Sequence, residues 1–168
     1  PLMFDRDEII ALVAGARMVK AWGGASMARA AEEALIKIDA VLPEAERERA
    51  KSTQIFAISM SEMTDDLRHR IDRIEKAIEA RVMLKLDYSD AEGHLTERPV
   101  RPLGLWFWGK VWTLVAWCEL RDDFRMFRLD RIKDMSHGET FTPVSEKSLA
   151  VFYARQAELG IHKNDMPG

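Results

Sequence analysis

The sequence predicts an α+β fold, in which a helical region is followed by a small five-stranded β-barrel and a closing C-terminal helix. Two observations carry this prediction. In the first half, apolar residues recur at steps of three and four, which is typical of amphipathic helices. After Arg81 the apolar period becomes two, and short strand-like segments alternate with turn residues. Five short strands joined by tight turns favour a curled sheet or barrel.

Two helices are predicted near the N-terminus. Asp5 and Glu8 have the spacing of a capping box, so a first helix is expected over 6–22. Two glycines then end it, because glycine is a poor helix former. Ser26 is a candidate N-cap for a second helix over 27–41.

A third long helix is predicted to begin at Thr64 and Asp65, after a short polar helix over 44–50 and an extended connector over 53–60. Its apolar residues recur at steps of three and four. The remaining positions carry charges, which we interpret as a solvated face. The charged residues are Arg68, Arg70, Asp72, Arg73, Glu75 and Lys76.

The five strands are predicted at 82–88, 95–108, 111–120, 124–132 and 135–141. Pro99 and Pro102 interrupt the second strand, and proline is tolerated in a sheet only at an edge or a bulge. Gly109-Lys110 predicts a tight hairpin after that strand. A last helix is predicted over 146–159, with Gly160 as its stop.

The composition fits a soluble folded chain. Hydrophobic residues make up 47% of the 168 residues, and the net charge is −3, which argues against a uniformly basic nucleic-acid binder. No apolar run approaches the roughly 18 residues of a membrane helix, and the N-terminus lacks a signal-peptide pattern. A single cysteine, Cys118, fits a reducing compartment. We therefore expect a cytoplasmic protein.

No catalytic or metal-ligating set emerges from the sequence. Cys118 lies in an apolar strand, where a buried structural thiol is the expected role. The chain has no phosphate-binding glycine loop and no nucleophile elbow. The histidines lie far apart, without a cysteine or aspartate at ligand spacing: His69, His94, His137 and His162. We therefore expect no enzyme activity, no metal and no cofactor.

Two neighbouring segments are unusual. Residues 106–117 hold four of the five tryptophans, and residues 124–132 carry an arginine at every third position. In one interpretation the aromatic rings fill the barrel, and the arginines form ion pairs with Asp123, Asp130 and Glu119. In the other, the arginines and rings form an anion or nucleic-acid groove, because guanidinium groups match phosphate geometry and aromatic rings stack on bases.

The same region resembles the WYL domain. The residues that carry the resemblance are Tyr88 and the segments 98–105, 109–118 and 124–132. The family's Arg-x-Phe-Arg-Leu-Asp-Arg-Ile strand is matched residue for residue over 125–132. The name motif Trp-Tyr-Leu departs here, because it reads Trp112-Thr113-Leu114.

The first half resembles the linker helices of DeoR/YafY-type WYL regulators over 7–12, 15–17 and 34–43. In such regulators a winged helix-turn-helix precedes these helices, and we interpret the start at Pro1 as a fragment boundary. The resemblance implies three regions. They are a helical linker and dimerisation region over 1–64, an Sm-like WYL barrel with its leading helix over 65–142, and a C-terminal helix and tail over 143–168.

The resemblance also implies a function. The barrel would sense a ligand, either single-stranded nucleic acid or a nucleotide-like anion, and so modulate DNA binding by the helix-turn-helix domain. The linker helices would form a homodimer. Arg125 and Arg128 would contact phosphate, and Asp130 would orient an arginine. The implied ligand-site residues are Tyr88, Trp112, Thr113, Arg125, Arg128 and Arg131.

Two alternatives use the same fold. One is a sensor of a small metabolite. The other is a ligand-free dimerisation scaffold, which Thr113 motivates because it removes an aromatic ring and a phenolic hydroxyl from the name motif.

Overall fold

A computed structural model describes residues 4–44, 47–48, 63–108 and 111–159. The predicted α+β class is confirmed. The described residues divide into two compact units on either side of the Asp72–Arg73 bond. The elements are α1 (Arg6–Trp22), α2 (Ala25–Val41), α3 (Asp65–Ala80), β1 (Val82–Ser89), β2 (Leu95–Trp108), β3 (Val111–Cys118), β4 (Asp123–Arg128), β5 (Ile132–Thr140) and α4 (Leu149–Glu158). No described helix is both long and apolar enough to span a bilayer.

In the first unit, α1 begins as the sequence predicts. The Asp5 carboxylate accepts a hydrogen bond from the Glu8 backbone N–H at 2.9 Å, and the Glu8 carboxylate accepts one from the Asp5 N–H at 2.7 Å. This reciprocal capping box satisfies two N–H groups that have no partner within the helix. The short helix predicted over 44–50 falls only in part on described residues, and the connector over 53–60 lies outside them.

The predicted N-cap of α2 is wrong. Gly24 occupies that position with an extended backbone, and Ser26 lies inside the helix. The backbone N–H and the hydroxyl of Ser26 instead donate to the Asp72 carboxylate of α3, at 3.0 and 2.9 Å. A carboxylate from another helix therefore supplies the negative charge that stabilises this helix N-terminus.

The charged surface of α3 is not simply a solvated face. The Arg68 guanidinium donates three hydrogen bonds to carbonyl groups at the end of α1, to Lys20 at 3.2 Å, Ala21 at 2.9 Å and Gly23 at 2.7 Å. The last carbonyls of a helix have no partner within it, and a cation there also favours the helix dipole. Arg68 therefore caps α1 from outside the helix.

In the second unit, the predicted barrel is not closed. The strands form one antiparallel sheet in the order β4-β3-β2-β1-β5, so β4 and β5 are its edges and no ladder joins these two described strands. A 3-10 turn, Leu129–Arg131, leads directly from β4 to β5. It occupies the last part of the predicted fourth strand, which therefore ends at Arg128. Because the chain turns there, β4 and β5 are two separate strands, at opposite edges of the sheet.

Both faces of this sheet are covered with apolar side chains. On one face, Leu84, Leu86 and Leu114 are fully buried. The other face packs against α4, where Phe152 joins a cluster with Val115, Trp117 and Phe124.

The last helix starts later than the sequence predicts. Residues Ser145–Lys147 form a 3-10 turn, and α4 begins at Leu149. Its N-cap is Ser148, whose hydroxyl accepts a hydrogen bond from the Val151 N–H at 3.3 Å. Pro143 and Ser145 therefore precede the helix instead of opening it. Gly160, the predicted stop, lies outside the described residues.

Candidate ligand-binding site

Arg128, at the end of β4, is the centre of the candidate site. Its guanidinium makes a two-pronged contact with Asp130, with Nε 3.1 Å from Oδ1 and Nη2 2.7 Å from Oδ2. The 3-10 turn makes this contact possible, because it folds Asp130 back toward the strand. About 28% of the Arg128 side chain remains exposed. The arginine is thus fixed in place and still reachable from solvent.

The charges at this turn reinforce one another. The hydrogen bond from Arg128 holds the pKa of Asp130 below its usual value, partial burial opposes this, and the charge of Arg131 adds to the lowering. The same hydrogen bond raises the pKa of Arg128. The turn therefore carries two guanidinium groups and one carboxylate, which leaves it with an excess positive charge.

Tyr88 supports Arg128 from β1. Its hydroxyl accepts a hydrogen bond from the Arg128 backbone N–H at 3.3 Å. Its ring packs edge-on against Phe127, with centroids 5.1 Å apart and an interplanar angle of 83°. Both contacts fix the end of β4, so Tyr88 positions the arginine's backbone.

Thr113 lies in one row with Arg128 across the sheet. It is paired with Arg128 on β4 and with Trp106 on β2. Paired residues in an antiparallel sheet point to the same face. Thr113 is 7% exposed, so the residue that departs from the Trp-Tyr-Leu motif is buried beneath its neighbours in this row.

Two of the predicted site residues lie on the opposite face of the sheet from this row. Trp112 lies on the opposite face from Thr113, where its ring contacts Phe107 at 5.2 Å. Arg125 is paired with Ala116, so it is also on the opposite face of β4 from Arg128. Arg125 and Arg128 are three positions apart, and strand residues alternate between faces, so their side chains lie on opposite faces.

Arg125 lies at a separate cleft between β4 and α4. The Asp123 carboxylate lies 3.1 Å from Arg125 Nη1 and 3.4 Å from Arg155 Nη1, so two guanidinium groups share it. Arg155 also lies over the Phe124 ring, 5.1 Å from its centroid. The cleft has a volume of about 420 Å³, and its other lining residues are Met126, Phe152, Gln156 and Leu159.

The sequence did not predict an aromatic pair that lies on the same face of the sheet as Thr113 and Arg128. Trp106 of β2 stacks on Tyr153 of α4, with centroids 5.3 Å apart and an interplanar angle of 11°. The indole Nε1 donates a hydrogen bond to the Tyr153 hydroxyl at 2.8 Å. Because the two residues are 47 positions apart, no local spacing could have predicted the pair.

The sequence predicted that no histidine lies close to other possible metal ligands, and this is wrong for His94. Donor atoms of Asp90, Glu92 and His94 lie within 4.8 Å of one another in the β1–β2 turn. Turn chemistry accounts for this, since the Asp90 carboxylate accepts hydrogen bonds from the Glu92 and His94 backbone N–H groups at 3.0 and 2.8 Å. Cys118 is buried, as the sequence predicts. His162 lies outside the described residues.

Comparison with known proteins identifies the region that contains this site. The WYL domain family matches residues 69–136. The uncharacterized HTH-type transcriptional regulator YobV of Bacillus subtilis (strain 168) is 31% identical over 103 residues, which cover 60% of this chain and 33% of that protein. Proteasome accessory factor B/C (PafBC) of Arthrobacter aurescens superposes with a TM-score of 0.45 at 25% identity, over 88% of this chain and 22% of the other.

Proposed function

We propose, from the premise that residues 69–136 of this chain are a WYL domain, that the chain is the ligand-sensing part of a bacterial transcription regulator. Its ligand is single-stranded nucleic acid, bound at Arg128 and Arg131. In the intact regulator, this binding changes the DNA affinity of a helix-turn-helix domain. The similar Bacillus subtilis protein, of which the chain spans about a third, is named as an HTH-type transcriptional regulator. No step of this function is catalytic.

The observation that carries the proposal is the fixed and accessible guanidinium of Arg128. Asp130 holds it through two hydrogen bonds, and 28% of the side chain is exposed. A guanidinium has five N–H donors, so donors remain for a phosphate oxygen. Arg131 adds a second positive charge in the same turn. Such charge-assisted hydrogen bonds are about twice as strong as neutral ones.

A ligand can regulate DNA binding only if it binds one state of the protein better than another. The 3-10 turn joins the two edge strands of the sheet. A phosphate held by Arg128 and Arg131 would therefore stabilise one arrangement of these edges. The Tyr88 hydroxyl, bonded to the Arg128 backbone, would transmit this constraint to β1, the strand that directly follows α3.

The test is titration of the chain with a fluorescent single strand of about ten bases, at low and moderate salt, beside a duplex of the same length. We expect preference for the single strand and weaker binding as salt rises, because released counterions drive phosphate contacts. Arg128→Ala should weaken binding about tenfold or more and lower the salt slope by about one. Arg121→Ala, which removes an exposed arginine from the β3–β4 turn, is the matched control.

A small-ligand sensor is the second candidate, and the cleft beside Arg125 favours it. Its volume of about 420 Å³ lies within the usual range for small-molecule sites. The two guanidinium groups at its rim share the carboxylate of Asp123. A nucleoside monophosphate should then raise the melting temperature of the chain, and Arg125→Ala should abolish that rise. If the chain bound neither a single strand nor a nucleoside monophosphate, the ligand-free scaffold would be favoured.

Self-association through α1 and α2 is a further part of the proposal. Leu12, Val19 and Met27 are 43%, 36% and 50% exposed. They line an apolar cleft of about 480 Å³ between the two helices. A second copy could bury these side chains, as expected for a regulator of symmetric DNA sites. Light scattering should show a dimer for the wild type and a monomer for Leu12→Glu. Lys37→Glu, on the polar surface, is the control and should remain a dimer.

A further inference from the structure

The stacked pair of Trp106 and Tyr153 has the properties of a binding platform. The rings are nearly parallel, at 11°, and the hydrogen bond from Trp106 Nε1 to the Tyr153 hydroxyl fixes their relative tilt. Tyr153 is nevertheless 41% exposed. A rigid aromatic ring that is already ordered loses little conformational entropy when a ligand stacks on it.

The platform lies on the same face of the sheet as Arg128. Trp106 and Arg128 are both paired with Thr113, so the three residues form one cross-strand row. Neighbouring strands are about 4.8 Å apart, which places the Cα atoms of Trp106 and Arg128 about 10 Å from each other. The phosphate and the base of one nucleotide, or of two adjacent nucleotides, can bridge such a separation once the side chains extend toward each other.

We infer that Tyr153, backed by Trp106, stacks a nucleobase of the single strand whose phosphate Arg128 binds. The inference rests on the proposed function and extends its site to α4. Tyr153 lies outside residues 69–136, the span that matches the WYL domain. α4 therefore supplies a ligand contact of its own, and it makes the site respond to bases as well as to phosphates.

Tyr153 is not the residue that anchors α4 to the sheet. Phe152 performs the anchoring, since it is 3% exposed and contacts both Trp106 and Phe124 with ring centroids 5.6 Å apart. Tyr153 stacks on the flank of this contact and stays partly in water. An apolar residue of similar size at position 153 would keep the cover on Trp106 and lose the π-face that a base needs.

The test compares two probes of equal length and charge, a ten-thymidine strand and a ten-unit abasic strand, bound to the full 168-residue chain. Stacking on aromatic residues stabilises each base enough that we expect the wild type to prefer the thymidine strand by roughly tenfold. Tyr153→Leu should abolish this preference and leave the affinity and salt slope for the abasic strand unchanged. Tyr153→Phe should keep the preference, because it retains the ring. Melting temperatures of both variants check that α4 remains packed.

The outcomes separate this inference from the proposed function. Salt-dependent binding of both strands with equal affinity would overturn the stacking role and leave the phosphate site intact. Equal weakening of both probes by Tyr153→Leu and Tyr153→Phe would mean that Tyr153 only holds α4 in place, which also overturns the inference. Failure of the wild type to bind either strand would overturn the proposed function and the inference together.

Discussion

Asp130 holds the guanidinium of Arg128 through two hydrogen bonds, at 3.1 and 2.7 Å, across the start of a 3-10 turn. A bidentate pair of this kind fixes the direction of the arginine as well as its charge. From the sequence alone, each of these two residues is equally compatible with an ordinary surface charge. Their geometry makes Arg128 a candidate phosphate ligand with a defined orientation.

The first prediction concerns the pH dependence of this pair. The hydrogen bond from Arg128 lowers the pKa of Asp130 in the folded state. A carboxylate with a lowered pKa stabilises the fold above its unfolded pKa, about 3.9 for aspartate, and this stabilisation is lost as the pH falls through the folded value. Asp130→Asn should therefore reduce stability at neutral pH, by at most about 1 kcal/mol because the carboxylate is 51% exposed.

Urea unfolding of the wild type and Asp130→Asn, measured from neutral pH down to about pH 3, checks this sign. The difference between the two stabilities should become smaller as the pH falls below about 4. A difference that persists or grows in acid would show that Asp130 acts by packing, without its charge.

The second prediction concerns the cap that Arg68 forms on α1. Removing its three hydrogen bonds to the carbonyls of Lys20, Ala21 and Gly23 leaves the helix end with fewer partners. Arg68→Ala should lower the free energy of unfolding by about 1–3 kcal/mol. Arg68→Lys should recover only part of this, because an ammonium lacks the planar fork that reaches several carbonyls. Lys76→Ala on the exposed side of α3 is the control, and equal losses in both variants would contradict the capping role.

The third prediction compares two glycines. A Cβ on Gly24 would collide with the Asp72 carboxylate and lie 2.9 Å from Ile71 Cγ2, whereas a Cβ on Gly15 meets nothing within 4 Å. Gly24→Ala should therefore destabilise the first unit by about 1–3 kcal/mol through overpacking. Gly15→Ala, inside α1, should stabilise it by about 0.5–1 kcal/mol, because alanine is the better helix former. Chemical denaturation of both variants measures these changes in stability. An unchanged free energy of unfolding in Gly24→Ala would show that the alanine Cβ does not collide with Asp72 or Ile71.

The helices and strands were predictable because their signals are local. The capping box of Asp5 and Glu8 and the period-two pattern of β1 each depend on residues within one element. The open sheet was not predictable in the same way. Residues 124–132 contain no glycine or proline that would mark a bend, and only the 3-10 turn at Leu129–Arg131 shows that the chain bends there.

The candidate site was predictable only in part. The repeated arginines marked Arg125, Arg128 and Arg131, but spacing alone could not say which of them share a face. Register shows that Arg125 and Arg128 do not, since their partners on β3 are Ala116 and Thr113. Contacts between distant elements, such as Tyr153 on Trp106, arise from tertiary packing and leave no periodic signal in the sequence.

The last prediction concerns Lys147, in the 3-10 turn before α4. Its Nζ lies 4.6 Å from the centroid of the Trp117 ring, and 3.7 and 3.8 Å from the carboxylates of Glu119 and Asp122. Ion pairs at such long distances contribute little, whereas a partly buried cation over an indole ring stabilises by about 1 kcal/mol. Lys147→Ala should therefore cost about 1 kcal/mol, and most of this loss should remain at high salt, which screens the ion pairs more than the short-range ring contact.

Unfolding curves at low and high salt measure that loss, with Lys133→Ala on the exposed side of β5 as the matched control. Lys147→Met should recover part of the stability, because its apolar stem still covers Trp117 while the charge is gone. If high salt removed the whole effect of Lys147→Ala, the ion pairs with Glu119 and Asp122 would be its source, and the ring contact would contribute nothing. The turn would then hold α4 against the sheet by surface charge alone.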